Sequence, residues 1–392
     1  MSFFRYYRRS LAVTVIAISA MALFTLLTVN ALLPLPSMCR QPEALTAPIS
    51  GAPQSTSPIR VTAYPFLDRQ ALISAGLMAA INRCRPSEGR ARMSLIVHGL
   101  MLNGTGEETR AESPLNQSRL LQTLTRYDVF HRDFPTYPAF LIRTRYGAQF
   151  VEARRIATSD VVSARDAHWG QTLSVLGELG LDRDYRLETR DGPSSVAQVV
   201  DDLVANFLLE GETEWAISAL AFYLPPHVTW RNKFGHEFSF DQIANDLIAR
   251  PKGFGSTCAG THVLYALALL LQADNIHPIL KATSRTNVER YLRDTVLLLS
   301  VSQASDGSWN PAWAGNSKVA PVLRNRLDDV WITGHHLDWM AIVVPTLRVS
   351  DAQLELAMRF IIRRTLQVEP QEVSQNCCQY IHGLRASFRL TY

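Results

Sequence analysis

The chain has 392 residues, 47% hydrophobic and 19% charged, a globular balance that excludes a wholly disordered polypeptide. Its formal net charge of +4 is too small to point to a nucleic-acid partner. Five cysteines (Cys39, Cys84, Cys258, Cys377 and Cys378) are too sparse for a disulfide framework in a chain this long, and the vicinal pair Cys377–Cys378 could bond only with strain.

The N-terminus carries Arg5, Arg8 and Arg9, and then Leu11 to Val29 runs without a charge. At 1.5 Å per residue that run spans about 28 Å, close to a bilayer core, and the apolar character continues to Leu33. Arginines on its N-terminal side keep residues 1–10 in the cytoplasm and put the rest of the chain outside. The expectation is a transmembrane signal-anchor over 11–33. The rival is a cleaved signal peptide, since Val29-Asn30-Ala31 resembles a small-x-small site. Prolines 34, 36, 42, 48, 53 and 58 then make 34–62 an extended linker. No other charge-free run is long enough to span a membrane.

From residue 63 the chain reads as helices. Expected helices cover 69–83, 91–101, 163–179, 213–223, 257–272, 331–343 and 374–386, with Asn103–Asn116 a polar loop. Ser195-x-x-Gln198, Ser239-x-x-Gln242, Thr286-x-x-Glu289 and Ser350-x-x-Gln353 fit the capping box, in which the hydroxyl accepts from the N3 amide. After Thr286, Val288, Tyr291, Leu292, Val296 and Leu299 follow at helical spacing. Strand signals are confined to short hairpins, one around Gly147 and one in Trp230–Phe240. Residues 257–272 are apolar all round, whereas 286–300 and 351–367 are amphipathic. Buried helices alternating with amphipathic ones predict an all-α protein, specifically an α/α toroid of helical hairpins over 63–392.

The segment Gln303-Ala-Ser-Asp306-Gly307-Ser308-Trp309 follows an amphipathic helix and reads Q-x-x-D-G-S-W. It resembles the QW motif of the terpenoid cyclase and protein prenyltransferase toroid superfamily. The resemblance implies that the Gln caps the next helix while the Trp ring stacks nearby, tying successive hairpins. It does not bring that superfamily's cyclase chemistry. The acid motif D-x-D-D stops at Asp182-Arg-Asp184, followed by Tyr185. The magnesium motif D-D-x-x-D fails after Asp201-Asp202 and after Asp328-Asp329.

Two segments carry candidate chemistry. Cys258 and His262 stand at i, i+4 on one face of the most apolar helix, where a thiolate and an imidazole could share one zinc ion. The plain alternative is a small buried Cys beside a core His. Gly334-His335-His336-Leu337-Asp338-Trp339 places His335, His336 and Asp338 in a second apolar helix. It looks similar to a segment of some α/α-barrel sugar epimerases, which keeps carbohydrate chemistry open. The two imidazoles project about 100° apart, so at most one joins a given site.

The expected metal set is Cys258, His262, Asp306 and His336. The expected catalytic set is His335, His336 and Asp338, as acid, base or sugar-binding groups. Similar-fold prenyltransferases hold zinc with Asp, Cys and His, but their Asp-x-Cys spacing is absent. His168-Trp169 and Glu214-Trp215 read as packing groups. The remaining histidines fall in loops or on amphipathic faces without a pattern. The sequence therefore predicts a membrane-anchored extracytoplasmic toroid with a polar or metal site at the barrel mouth, taking a small-molecule, glycan or protein ligand. The alternative is a non-catalytic envelope scaffold.

Overall fold

The computed structural model describes residues 58–65, 70–84, 93–103, 117–152, 167–226, 228–253, 257–315 and 326–392. All of them belong to the unit Ala52–Tyr392. The expected membrane segment 11–33, most of the linker and the loop 104–116 lie outside the described residues. No helix among the described residues is long and apolar enough to cross a membrane.

The described chain is mostly helical. It begins with α1 (Gln70–Arg83), α2 (Met93–Asn103), α3 (Gln117–Thr125) and α4 (Tyr127–Asp133). The hairpin β1 (Leu141–Thr144) and β2 (Gly147–Phe150) follows, then α5 (Gln171–Glu178). A second hairpin, β3 (Arg186–Thr189) and β4 (Gly192–Ser195), leads into α6 (Val196–Asn206) and α7 (Glu214–Tyr223). The third, β5 (Trp230–Arg231) and β6 (Glu237–Phe238), precedes α8 (Phe240–Ala249). The chain continues through α9 (Thr261–Ile276), α10 (Ala282–Ser302), α11 (Arg326–Met340), α12 (Asp351–Gln367), α13 (Pro370–Gln375) and α14 (Cys377–Thr391). Each hairpin is a two-stranded antiparallel pair, so among the described residues no sheet forms a core. The β3–β4 hairpin had no strand alternation in sequence to announce it.

Local sequence explains most helix starts. Ser195, Ser239 and Ser350 each accept from the amide of the Gln three residues on, as the capping boxes predict. Thr286 does not cap. The helix begins a turn earlier, after Lys281, and Thr286 Oγ1 instead donates to the Ala282 carbonyl inside it. On that helix Val296 is only half-buried. Thr295 takes the core position, its hydroxyl donating to the Tyr291 carbonyl. The helix expected over 163–179 is shorter than its pattern, because Gly170 at φ 83° turns the chain and α5 starts only at Gln171. Cys84 is disulfide-bonded, and Cys378 keeps its thiol, so no vicinal Cys377–Cys378 bond forms.

Among the described residues, six helices pack around a common core. Residues 261–274 of α9 are buried on every side, whereas α10 buries one stripe through Ser284, Val288, Tyr291, Leu292, Thr295 and Leu299. Among the lining helices α2 packs on α5, α5 on α7, α7 on α9, α9 on α11, and α11 on α14, which packs back on α2. The closest of these contacts is α11 on α14. A Cβ on Gly334 would stand 2.8 Å from the Gly383 amide nitrogen, so the two backbones touch where neither has a side chain.

The turn after α10 ties the outside together. Gln303 Nε2 donates to the carbonyls of Gly307 (3.0 Å) and Gln353 (2.9 Å), and Gln353 Nε2 donates back to the Ser300 carbonyl (3.0 Å). Gly307 has φ 95° and lies against the Leu356 carbonyl of α12, where a Cβ would come within 2.3 Å. Trp309 is fully buried, and its indole N–H donates to the Leu299 carbonyl at 2.9 Å. Trp309→Ala should therefore cost about 3–5 kcal/mol. Gly334→Ala should cost about 1–3 kcal/mol by wedging α11 from α14. Chemical denaturation measures both, and a loss under about 0.5 kcal/mol for either variant would reject the corresponding contact.

Candidate functional site

The lining helices bring polar side chains into an interior that the apolar pattern alone would leave dry. From α2 comes His98, from α5 Gln171 and Glu178, from α9 His262 and Tyr265, from α11 His335 and Asp338, and from α14 His382 and Arg385. Glu212 stands just before α7, and His168 just before α5. His98, His262, His335 and His382 are each no more than 5% exposed.

The imidazoles form a chain of contacts. His168 meets His262 edge-on at 5.0 Å between ring centroids, His262 meets His335 at 5.1 Å, His335 stacks on His382 at 3.9 Å, and His382 meets His98 at 5.2 Å. The Gly334–Gly383 approach produces the tightest of these, because His335 and His382 are the immediate chain neighbours of those glycines.

Four of these rings are oriented by an acceptor at Nδ1. His262 faces Glu212 Oε1 at 3.0 Å, His335 donates to the Trp331 carbonyl at 2.9 Å, His382 faces Asp338 Oδ2 at 2.8 Å, and His98 donates to the Ser94 carbonyl at 2.6 Å. His168 Nδ1 lies 2.8 Å from the same Glu212 oxygen, but outside hydrogen-bond alignment. His98 Nε2 accepts from Gln171 Nε2 at 3.4 Å.

Asp338 is committed twice. Arg385 donates to both its oxygens (3.0 and 2.6 Å) and reaches Glu178 at 2.6 Å, and the Tyr265 hydroxyl also bonds Glu178. Arg385 itself is fully buried. Asp338 thus holds His382 and neutralises Arg385, a positioning role that differs from the direct acid or base role its sequence context suggested.

The sequence-predicted residues separate into two groups. Cys258, His262 and His335 reach the centre. His168, Cys258 and His262 offer ligand atoms all within 4.8 Å of one another. His336 turns away from His335 into an aromatic cage, where its Nδ1 accepts from the Trp339 indole (3.2 Å) and Trp313 packs edge-on at 4.8 Å. Asp306 is exposed in the turn after α10, with Oδ1 taking the Ser308 amide (3.1 Å) and hydroxyl (2.7 Å). The expected metal set of Cys258, His262, Asp306 and His336 is therefore not assembled. His98 and His382, which carried no pattern, and His168, expected only to pack, are central instead. His98 and His382 sit on different helices and His168 just before α5, and the signal that could have found His382 is a polar i, i+3 pair with Arg385 inside an otherwise buried helix.

The approach to α9 is strained. Cys258 (φ 47°, ψ 41°) and Ala259 (φ 51°, ψ 36°) are left-handed without being glycine, and Gly260 follows at φ 77°. The Thr261 hydroxyl donates to the Cys258 carbonyl at 2.6 Å and the Trp313 indole to the Ala259 carbonyl at 3.0 Å, which hold the turn. Such backbone costs of order 1–3 kcal/mol per residue and aims the Cys258 thiol inward.

Burial sets the charge state. It pushes His262 down to about 4, against the pull of Glu212, and His336 down to about 3. Burial and neighbouring imidazoles hold His335 and His382 well below the ordinary histidine range. Burial alone would raise Glu212, but the His168 and His262 rings outweigh it and keep the carboxyl below its usual range. Burial opposes the proton on His98 and the thiolate of Cys378, yet their mutual attraction prevails, raising His98 and lowering Cys378.

Histidines with depressed folded values stabilise the fold above the unfolded value near 6.5 and withdraw that stability as the pH falls through their folded values. Unfolding free energy should therefore drop between pH 6.5 and about 4, more steeply than the roughly 1.4 kcal/mol per pH unit of a single proton. Urea titrations across that range test it, and a flat profile would reject the buried neutral cluster. No family model, curated protein or solved structure matches this chain.

Proposed function

We propose that this chain is a membrane-anchored, extracytoplasmic α/α-toroid protein whose histidine and carboxylate centre is a working site for a small polar or glycan ligand. The toroid reading is supported by the cycle of contacts through α2, α5, α7, α9, α11 and α14. It is supported too by alternation along the chain, since α1, α3, α6, α8, α10 and α12 fall between these helices and pack on their outer sides. The Gln303–Trp309 turn, which ties α10 to α12, fits the resemblance to the terpenoid cyclase and prenyltransferase superfamily. The uncharged run Leu11–Val29 behind three arginines supports the anchor, and the Cys84 disulfide fits an oxidising compartment.

One observation carries the functional reading: five of the six interior helices deliver histidine, acid or arginine side chains to a single connected network. A scaffold gains nothing from that arrangement, because an apolar core of equal volume is at least as stable as buried ion pairs. Neutral imidazoles, two of them oriented by carboxylates, offer fixed hydrogen-bond donors and acceptors to a polar ligand. The enclosure of the centre, with His382 only 2% exposed, favours the rival scaffold reading, so ligand entry must displace part of the wall.

Two measurements test this. The full chain in detergent, screened by thermal shift against monosaccharides, oligosaccharides and small organic acids, should be stabilised by one class, and His382→Gln should abolish the shift. A blank screen, together with a co-purifying protein partner that His382→Gln retains, would replace the site with a scaffold. For topology, a reporter active only outside the cytoplasm, fused after Tyr392, should be active. Activity of a cytoplasmic reporter at that point would reverse the orientation.

A further inference from the structure

The geometry points to a divalent metal ion of the zinc class held between α9 and α11, by His262 and His335 with His168 and Cys258 completing the set. The inference rests on reading the histidine centre as a functional site and begins from tautomers. The Trp331 carbonyl can only accept, so His335 Nδ1 carries the hydrogen and a neutral His335 presents a lone pair at Nε2. His262 Nδ1 faces a carboxylate oxygen, which as an acceptor imposes the same tautomer and again leaves Nε2 with a lone pair. Those two Nε2 atoms lie 3.2 Å apart and face each other. Two lone pairs do not hold one another at that distance. A cation between them removes the conflict.

The distance suits that cation. Two imidazole nitrogens at about 2.0–2.1 Å from a tetrahedral zinc stand about 3.3 Å apart. The remaining donors lie on the His262 side, where ligand atoms of His168 and Cys258 are within 4.8 Å of it and of each other. A thiolate with three imidazoles is a donor set for zinc or cobalt(II), whereas magnesium and calcium take oxygen donors. Around it stands the outer layer that metal-bound histidines usually have: a carboxylate, Glu212, on the far nitrogen of His262, and a backbone carbonyl on that of His335.

The left-handed Cys258–Ala259 turn gains a reason as well, since it carries the thiol towards His262 from a position where a regular helical start would not. His168, Cys258 and His262 form the compact group, and His335 would join it as fourth donor through its approach to His262, so the ion would pin the segment before α5 to α9 and α11 rather than present an open catalytic position.

The test uses the full chain in detergent, stripped with chelator, checked for helicity by circular dichroism, and titrated with cobalt(II) and with zinc(II). One ion per chain is expected, with the visible spectrum of tetrahedral cobalt and a thiolate-to-cobalt charge-transfer band. Cys258→Ser should remove that band. His335→Gln should weaken binding by more than about tenfold, and exposed His131→Gln should change neither. A folded protein that takes up neither ion in stoichiometric amount would overturn the inference. A charge-transfer band that survives Cys258→Ser but disappears in Cys378→Ser would overturn it too. An ion-free protein whose ligand-induced thermal shift still depends on His382 would sink this inference alone and leave the ligand site standing.

Discussion

Arg385 is fully buried, and a guanidinium in a low-dielectric interior cannot be left alone. Asp338 meets it with both oxygens and Glu178 meets it from another helix, so one side chain joins α14, α11 and α5. Tyr265 adds α9 by bonding Glu178. The arrangement is only as stable as its completeness, because removing any partner would strand a buried charge worth several kcal/mol. It also fixes His382, which shares Asp338 with Arg385 and takes its ring position from that carboxylate. The polar centre thus hangs on an ion cluster that is itself a positioning device.

A second constraint acts on the same helices. The Gly334–Gly383 contact removes the side-chain layer that normally separates packed helices and stacks His335 on His382 at 3.9 Å. The left-handed turn at Cys258 does the equivalent for the start of α9. Close approach and backbone strain both cost free energy. Here both converge on the histidines, where strained backbone in proteins tends to concentrate.

The difference between His335 and His336 shows how a site is divided by helix geometry. Neighbours in sequence point about 100° apart. One ring therefore enters the centre while the other enters a cage of Trp309, Trp313 and Trp339. The His-His pair is visible in the sequence as an anomaly in an apolar helix, but nothing within the pair says which ring is which.

What the sequence determined by itself was local. The capping serines, the Gln303–Trp309 turn and the all-round burial of α9 each satisfy backbone or apolar groups within a few residues. Helical periodicity and turn chemistry therefore reveal them. The helix face expected to join Cys258 to His262, by contrast, gives way to a left-handed turn before α9. Asp306 looked like a ligand for the same reason that it makes a good turn residue: a short carboxylate takes the amide two residues on. Only the tertiary structure decided the centre. His262 meets Glu212 across 50 residues, His382 meets Asp338 across 44, and His262 meets His335 across 73. These pairs leave no periodic trace in the chain, because their partners come from different helices whose rotations are set by packing. His98, His168 and His382 became recognisable only once the interior helices had closed around them.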